Sequence, residues 1–319
     1  MTGAFHSAVA GRLAASWAQL SVQALAFWLT AGATWLAGRR SLAPLRDAAK
    51  ALDHQTPVAQ GGILLAGLLT VGGSALLVQQ AARPVLRVLE GYWPRWGWPV
   101  RRLLTARHVR RAERDKARWQ VLHPRVVTVG SAGPASRPTP RELEEYGRLE
   151  RRRRSRPSAA EWFMPTKAGN ILRAAERRVR DKYGLDAVAL WPPLWQVLPD
   201  HARQDVGRAG AELERTVTAM IWAVLLCVLS PWAPLAAPIG IVVCAAALFG
   251  GLPVRARFFA EMIETMFDLH RPALYRQLRW PLPRDPRDEQ TAGRQLTSYL
   301  WRGSDRAEPV FTESEAGPS

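Results

Sequence analysis

The sequence predicts an all-α polytopic membrane protein, with two transmembrane helical hairpins and a mainly helical cytoplasmic region. Three observations predict it. The apolar residues of the 319-residue chain are gathered into long runs and are not spread over a soluble core. The segments between the runs carry helical spacing, with caps at their starts and glycine or proline at their ends. The net charge of +17 is concentrated between the two pairs of runs, where residues 83–215 hold 29 Arg and Lys against 15 Asp and Glu.

Such a charge permits contact with nucleic acid, anionic lipid or an acidic partner and does not choose among them. Lysine occurs only at positions 50, 116, 167 and 182, in a chain also rich in Ala, Gly and Pro. GC-rich codon usage accounts for that pattern, so arginine enrichment is weak evidence for phosphate recognition. The two cysteines, Cys227 and Cys244, lie in apolar runs. In a hairpin turning near Trp232 their depths differ by about 10 Å, too far for a disulfide. P-loop, dinucleotide-binding, nucleophile-elbow and zinc-binding patterns are all missing from the sequence, and no cofactor is expected.

Residues 14–37 are long enough to span a bilayer, which takes roughly 20 apolar residues. A cleaved signal peptide is the rival reading, since Arg12 precedes the run and Ala31-Gly32-Ala33 resembles a cleavage site. Gln19, Gln23, the tryptophans and the length favour an uncleaved anchor. A polar connection, residues 39–60, leads to a second span, Gly61 to Ala82, which completes an N-terminal hairpin within residues 1–82. Its Gly61, Gly62, Gly67, Gly72, Gly73 and Ser74 are expected to admit a closely packed neighbouring helix.

Residues 83–163 form a basic amphipathic and linker region. Tyr92, Trp93, Trp96 and Trp98 stand among Arg87, Arg95, Arg101 and Arg102 just after the second span. Aromatic rings and cations side by side suit the headgroup layer, and anionic headgroups are the expected partner. Stacking of bases on the same rings is the rival, and nucleic acid is the less favoured partner because proximity to the bilayer already explains the pattern. A charged helix over 105–120 comes next, then a linker at Ser131 to Pro140 and a second charged helix from Glu142 to Arg156. The Arg151 to Arg154 run in the latter reads as a solvated face or flexible arm.

Residues 164–214 form the central block. Thr166 is an N-cap, Lys167 to Tyr183 one helix and Gly184 its stop, with Pro192, Pro193 and Pro199 breaking up the chain after it. Ile171, Leu172, Ala175 and Val179 share one face, opposed mostly by Arg173, Arg177, Arg178 and Arg180. Asn170, Arg173 and Glu176 form a line, and Asp181, Tyr183 and Asp186 cluster at the helix end. Two readings stand side by side: intrahelical pairing with a capped terminus, or a polar edge that binds a ligand or partner.

Asp200 caps a helix that runs into a second transmembrane hairpin, residues 215–252, turning at Ser230 to Pro234. Amphipathic helices fill residues 253–303, with Phe258, Phe259, Met262, Ile263, Met266 and Phe267 on one stripe. Glu264, Asp268 and His270 could be drawn as metal ligands, but solvation and pairing with Arg271 is the commoner use of such residues, and no metal is expected. A helix from Asp288 to Trp301 precedes a tail, 304–319, expected to be disordered. Arg208, Arg215, Arg255 and Arg257 flank an uncharged turn, which places residues 83–214 and the C-terminus in the cytoplasm of a multi-pass plasma-membrane protein. Against the same rule, residues 39–60 carry four basic residues on what would then be the outer side.

The blocks LEGYW at Leu89 to Trp93, MPTKAGNILRAAE at Met164 to Glu176, KYGLDAVALWPPLW at Lys182 to Trp195, FDLHRPALYRQLRWPLP at Phe267 to Pro283 and SYLWRG at Ser298 to Gly303 together resemble a family of uncharacterised bacterial integral membrane proteins of actinobacterial type. Lys167 and Ala168 depart from that family's PTRLGN pattern, and Val179 stands where it commonly has proline. The resemblance implies a membrane protein with a cytoplasmic module and carries no activity to transfer. It marks Asn170, Arg173, Glu176, Tyr183, Asp186 and Trp191. The function expected first is a membrane-anchored, non-enzymatic interaction or scaffold protein with a protein partner or a second copy of itself. A membrane-bound enzyme or ligand sensor with a pocket in the central block comes second, and an oligomeric transport component third.

Overall fold

The computed structural model describes residues 22–127, 138–303 and 307–312, and these are helical throughout, with no strand among them. The helices in chain order are α1 (22–39), α2 (Ala43–Asp53), α3 (Pro57–Glu90), α4 (Trp98–Val127), α5 (Pro140–Arg154), α6 (Lys167–Tyr183), α7 (Ala187–Val197), α8 (Asp200–Val228), α9 (Ala236–Ala245), α10 (Leu252–Gln277) and α11 (Pro286–Arg302). A π-helical stretch, Ala246–Gly251, joins α9 to α10. The chain divides into two compact units, Met1–Leu86 with Glu214–Leu252, and Arg87–Leu213 with Pro253–Ser319.

Two helical stretches of the described residues are long and apolar enough to cross a membrane. The most apolar window has mean hydropathy 2.0 within Pro57–Val127 and 2.1 within Ala236–Gln277. Much of their surface is aliphatic and exposed, with Leu64 at 70%, Leu68 at 71% and Leu77 at 68%. Ala24, Ala75, Val78 and Trp222 join α1, α3 and α8 in a small apolar cluster. Polar bonds support it: Trp28 Nε1 donates to Ser74 Oγ at 3.2 Å, and Thr218 Oγ1 to Gln23 Oε1 at 2.7 Å. Four glycines of α3 differ from expectation, whereas Ser74 of the same expected seam does meet a neighbouring helix through Trp28. A Cβ added at Gly61, Gly62, Gly67 or Gly73 would meet nothing within 4 Å, so no described helix packs on them; α3 is gripped through its larger Ala75 and Val78. Close approach occurs at Gly240 of α9, where a Cβ would lie 2.5 Å from the Ala223 carbonyl of α8.

In the second unit the core is built by α6, α7, the start of α8, α10 and α11. Val179, Leu185, Leu190, Leu194, Phe267, Leu274 and Leu296 are fully buried in it. Each such side chain contributes about 1.5–3 kcal/mol through removal from water. The helices begin where local chemistry starts them. Thr139 and Glu142 close a capping box on α5, Asp186 accepts from the Val188 and Ala189 amides, and Asp285 accepts from those of Arg287 and Asp288.

Several sequence expectations shift here. Helix α7 passes through Pro192 and Pro193, so these do not end it. Their missing amides leave the Val188 and Ala189 carbonyls without intrahelical donors, a cost met by burying Leu190 and Leu194. Asp200 is the first residue inside α8, where its charge suits the helix start. Part of the expected disordered tail is fixed: Thr312 N donates to the Arg279 carbonyl at 2.9 Å, and Phe311 packs edge-on to Trp280 and Tyr299. The first part of the expected first span, 14–21, and the bulk of the expected linker lie outside the described residues.

Two backbone contacts set the second unit. At the turn after α3, Gly91 has φ +103°, and a Cβ at Gly169 would fall 1.9 Å from the Glu90 carbonyl. At the other end of α6, Gly184 takes the left-handed conformation with φ +71°, and a Cβ at Gly293 of α11 would fall 1.9 Å from the Tyr183 carbonyl. Nothing larger than hydrogen fits at either contact. Gly169→Ala and Gly293→Ala are therefore each expected to destabilise this unit by about 3 kcal/mol or more. Gly207→Ala, with nothing within 4 Å, should instead stabilise by roughly 0.5–1 kcal/mol. Thermal unfolding in detergent checks all three, and equal melting temperatures for Gly169→Ala and wild type would refute the contact.

The Tyr275 ring is 1% exposed, and its hydroxyl has no hydrogen-bond partner among the described residues. Tyr275→Phe is expected to raise stability by about 1 kcal/mol by removing a stranded polar group. A lower melting temperature would contradict this.

Candidate functional site

Helix α6 carries Asn170, Arg173, Glu176 and Tyr183 of the residues that the sequence marks in the central block, while Asp186 caps α7 and Trp191 lies within α7. Its first turn is fixed by Thr166, whose Oγ1 accepts from the Gly169 amide at 3.0 Å. Asn170 is buried and fully committed. Its Oδ1 accepts from the Met164 amide at 2.9 Å, and its Nδ2 donates to the carbonyls of Met164 at 2.9 Å and Thr166 at 2.7 Å. It folds the PTKAGN loop back on itself and leaves no donor for a ligand.

Arg173 and Glu176 pair at 3.0 Å along the helix, and Arg173 also donates to the Tyr92 hydroxyl at 3.0 Å. Glu90 stands close enough to Glu176 for repulsion. Burial pushes the Glu176 carboxyl above the usual range, the Arg173 charge pulls it back, and Asp186 adds to the rise. Burial likewise raises Glu90, reinforced by Glu176 and opposed by Arg87 and Arg173. This corner is a carboxylate pair held next to two arginines.

At the far end of α6, Tyr183 donates to Asp268 Oδ1 at 2.6 Å, under the guanidinium of Arg271 at 4.1 Å from the ring centroid. Burial and the bond to Asp268 push its phenol up to about 12. Glu264, 3% exposed, accepts from Arg178 Nε at 2.9 Å and Lys182 Nζ at 2.7 Å. Burial alone would raise this carboxyl, but the Lys182 hydrogen bond and the Arg178 charge outweigh it and hold the group below the usual range. Arg271 pairs with Glu289 at 2.6 Å. The carboxylates drawn as metal ligands are thus held in ion pairs, with Lys182 and Arg178 taking the part expected of Arg271. No cluster of three metal-ligating side chains occurs among the described residues.

Asp186 caps α7, and its own amide donates to Thr297 Oγ1 at 3.1 Å. Trp191 packs against Trp195 and Phe267, with ring centroids 5.8 and 6.3 Å away. At the expected membrane interface, Trp96 is 84% exposed and Trp98 carries Arg102 over its ring at 4.2 Å, with Arg101 alongside. Trp93 differs from these, since its Nε1 donates inward to the Val88 carbonyl at 2.7 Å.

A cavity of the second unit, about 720 Å³, lies on a different face of α6, between α4, α5, the loop before α6, and α10. Ala174, Arg177, Arg178, Asp181 and Lys182 line it from α6; Asn170, Arg173, Glu176, Tyr183, Asp186 and Trp191 do not. Lys116 and Trp119 on α4 and Arg153 on α5 complete the polar and aromatic wall. The sequence does not single these out, because a charged helix alone looks like a solvated face. The available signal was Trp119, a large ring placed within charged sequence.

The carboxylates of Glu90 and Glu176 make the unit's stability depend on pH. A carboxyl whose folded pKa is raised stabilises fully below the ordinary carboxylate value, and that stabilisation is lost as pH rises through the folded value. Glu90→Gln lacks that loss, so its melting temperature relative to wild type should climb as pH rises from about 4 to 7. A difference that stays flat over this range would contradict the assignment.

No protein-family model, no curated protein and no solved structure matches this chain.

Proposed function

We propose that this chain is a multi-pass plasma-membrane protein with four spans, in which residues 83–214 and the C-terminus are cytoplasmic. Its helical unit acts as a non-enzymatic docking module for a protein partner or a second copy. One observation supports this above the others: several polar side chains of α6 are spent on holding the loop before it, Tyr92 and α10 in place. Asn170, Arg178 and Tyr183 each bond to another part of the unit. A module that presents a fixed surface needs such commitments, whereas general acid–base work needs a group left free to exchange its proton. The aliphatic surface of α3 supports lipid contact, and the exposed Trp96 and Trp98 with Arg101 and Arg102 suit the headgroup layer.

Washing membranes at alkaline pH tests the anchor. Wild type is expected in the pellet, and the Leu68→Arg, Leu69→Arg double variant in the supernatant or degraded, because each central arginine costs about 2.5–3.5 kcal/mol on insertion. Native electrophoresis after mild detergent extraction tests the module. A stoichiometric complex lost in Arg173→Ala, Glu176→Ala is expected, and a monomer under all conditions would sink the scaffold reading. The basic cavity favours a second reading, a membrane-bound ligand sensor.

A further inference from the structure

The cavity between α4, α5, α6 and α10 has a chemistry that the docking reading does not use. Most of its carboxylates are already engaged. Asp115 is held by Arg156 at 2.7 Å and Arg152 at 3.5 Å, and Glu264 by Arg178 and Lys182 at 2.9 and 2.7 Å. Glu150 accepts from Trp119 Nε1 at 2.6 Å, and Asp181 from the Ser158 hydroxyl at 3.3 Å. Glu113, exposed on α4, is the wall carboxylate without such a bond among the described residues.

Three cations of the wall have no carboxylate partner among the described residues, and they come from three helices: Lys116 on α4, Arg153 on α5 and Arg177 on α6. Arg177 is the most telling. Its guanidinium lies over the Trp162 ring at 4.1 Å from the centroid, and its Nε is buried with no hydrogen-bond partner among the described residues. Leaving a buried N–H unpaired is unfavourable, so a partner for it is favoured. Arg153 is placed in the same way, 4.1 Å from the Trp119 ring centroid. Trp119 is itself held by a stack with His123, their centroids 4.2 Å apart.

Stacking occupies the face of a guanidinium and leaves its in-plane donors along the edge, the geometry that takes phosphate oxygens. Between the cations the wall is apolar, with Leu149, Phe163, Ala112 and Ala174. A volume of about 720 Å³ is that of a small-molecule site. We propose that this cavity binds a small phosphorylated molecule with an apolar or planar body, its phosphate held by Arg177, Arg153 and Lys116. The same chemistry belongs to soluble phosphate esters and to lipid headgroups.

Calorimetric titration of the full chain in detergent separates these sources. The probes are AMP, inorganic pyrophosphate and dioctanoyl-phosphatidylglycerol, with adenosine as the phosphate-free control. Saturable binding of a phosphate-bearing probe is expected, with none for adenosine, at least tenfold weaker in Arg177→Gln and Arg153→Gln and weakened by added salt. Binding of AMP or pyrophosphate assigns a soluble ligand, and binding of phosphatidylglycerol alone a lipid headgroup. Arg177→Gln removes a stacked side chain from the fold, so Lys116→Gln, an exposed position, is read beside it: binding should weaken at an unchanged melting temperature. No binding of any probe, or equal affinity in wild type and all three variants, would overturn the proposal. Neither result bears on the membrane complex, which Arg173→Ala, Glu176→Ala tests separately.

Discussion

The pairing of Glu264 with Arg178 and Lys182 is the interaction around which the second unit is arranged. A carboxylate at 3% exposure on α10 is tolerable only if cations meet it, because an isolated buried charge is far more costly than a surface one. Those cations stand on α6, and their reach fixes the rotation of α6 against α10. With that rotation set, Val179 turns into the core, Tyr183 meets Asp268, and Arg173 and Glu176 point toward the end of α3. The polar and apolar faces of α6 are thereby ordered by a single buried charge.

The two ends of the helix are then held by close backbone contacts as well. Gly169 admits the Glu90 carbonyl at the N-terminal end, and Gly293 admits the Tyr183 carbonyl at the C-terminal end. These contacts join blocks far apart in sequence: LEGYW to MPTKAGN, and KYGLDA to α11. Trp191 against Phe267, and Trp280 against Tyr299, join the remaining blocks. Glycine, asparagine and aromatic residues thus stand where separate pieces of chain touch, which is a physical reason for those residue types there.

Much of this was legible in the sequence. The bounds of α6, its Thr166 cap and its Gly184 stop came from local rules, because capping and the left-handed stop depend on neighbours within four residues. Other features were not legible, for reasons of the same kind. Pro192 and Pro193 read as breaks because local propensity cannot weigh the burial of Leu190 and Leu194. The glycines of α3 read as a packing seam because composition shows that a neighbour could approach and not that one does. The cavity depends on positions 116, 153 and 177 meeting, and no local pattern joins them.

The surplus of arginine ties these points together. With 44 Arg and Lys against 27 Asp and Glu, many cations must do without a carboxylate. The structure gives several of them a ring instead: Arg39 over Trp35, Arg102 over Trp98, Arg153 over Trp119 and Arg177 over Trp162. A cation–π contact is worth about 0.5–1 kcal/mol at an exposed site, and unlike an ion pair it does not neutralise the charge. Where the ring is at the surface, the cation stays free for solvent or for anionic headgroups. Where the stacked cation lines a cavity, as Arg153 and Arg177 do, the guanidinium is oriented while its donors remain unspent. The same pairing that accommodates excess charge in this fold thus leaves, at one place, a set of positioned cations around a partly open cavity.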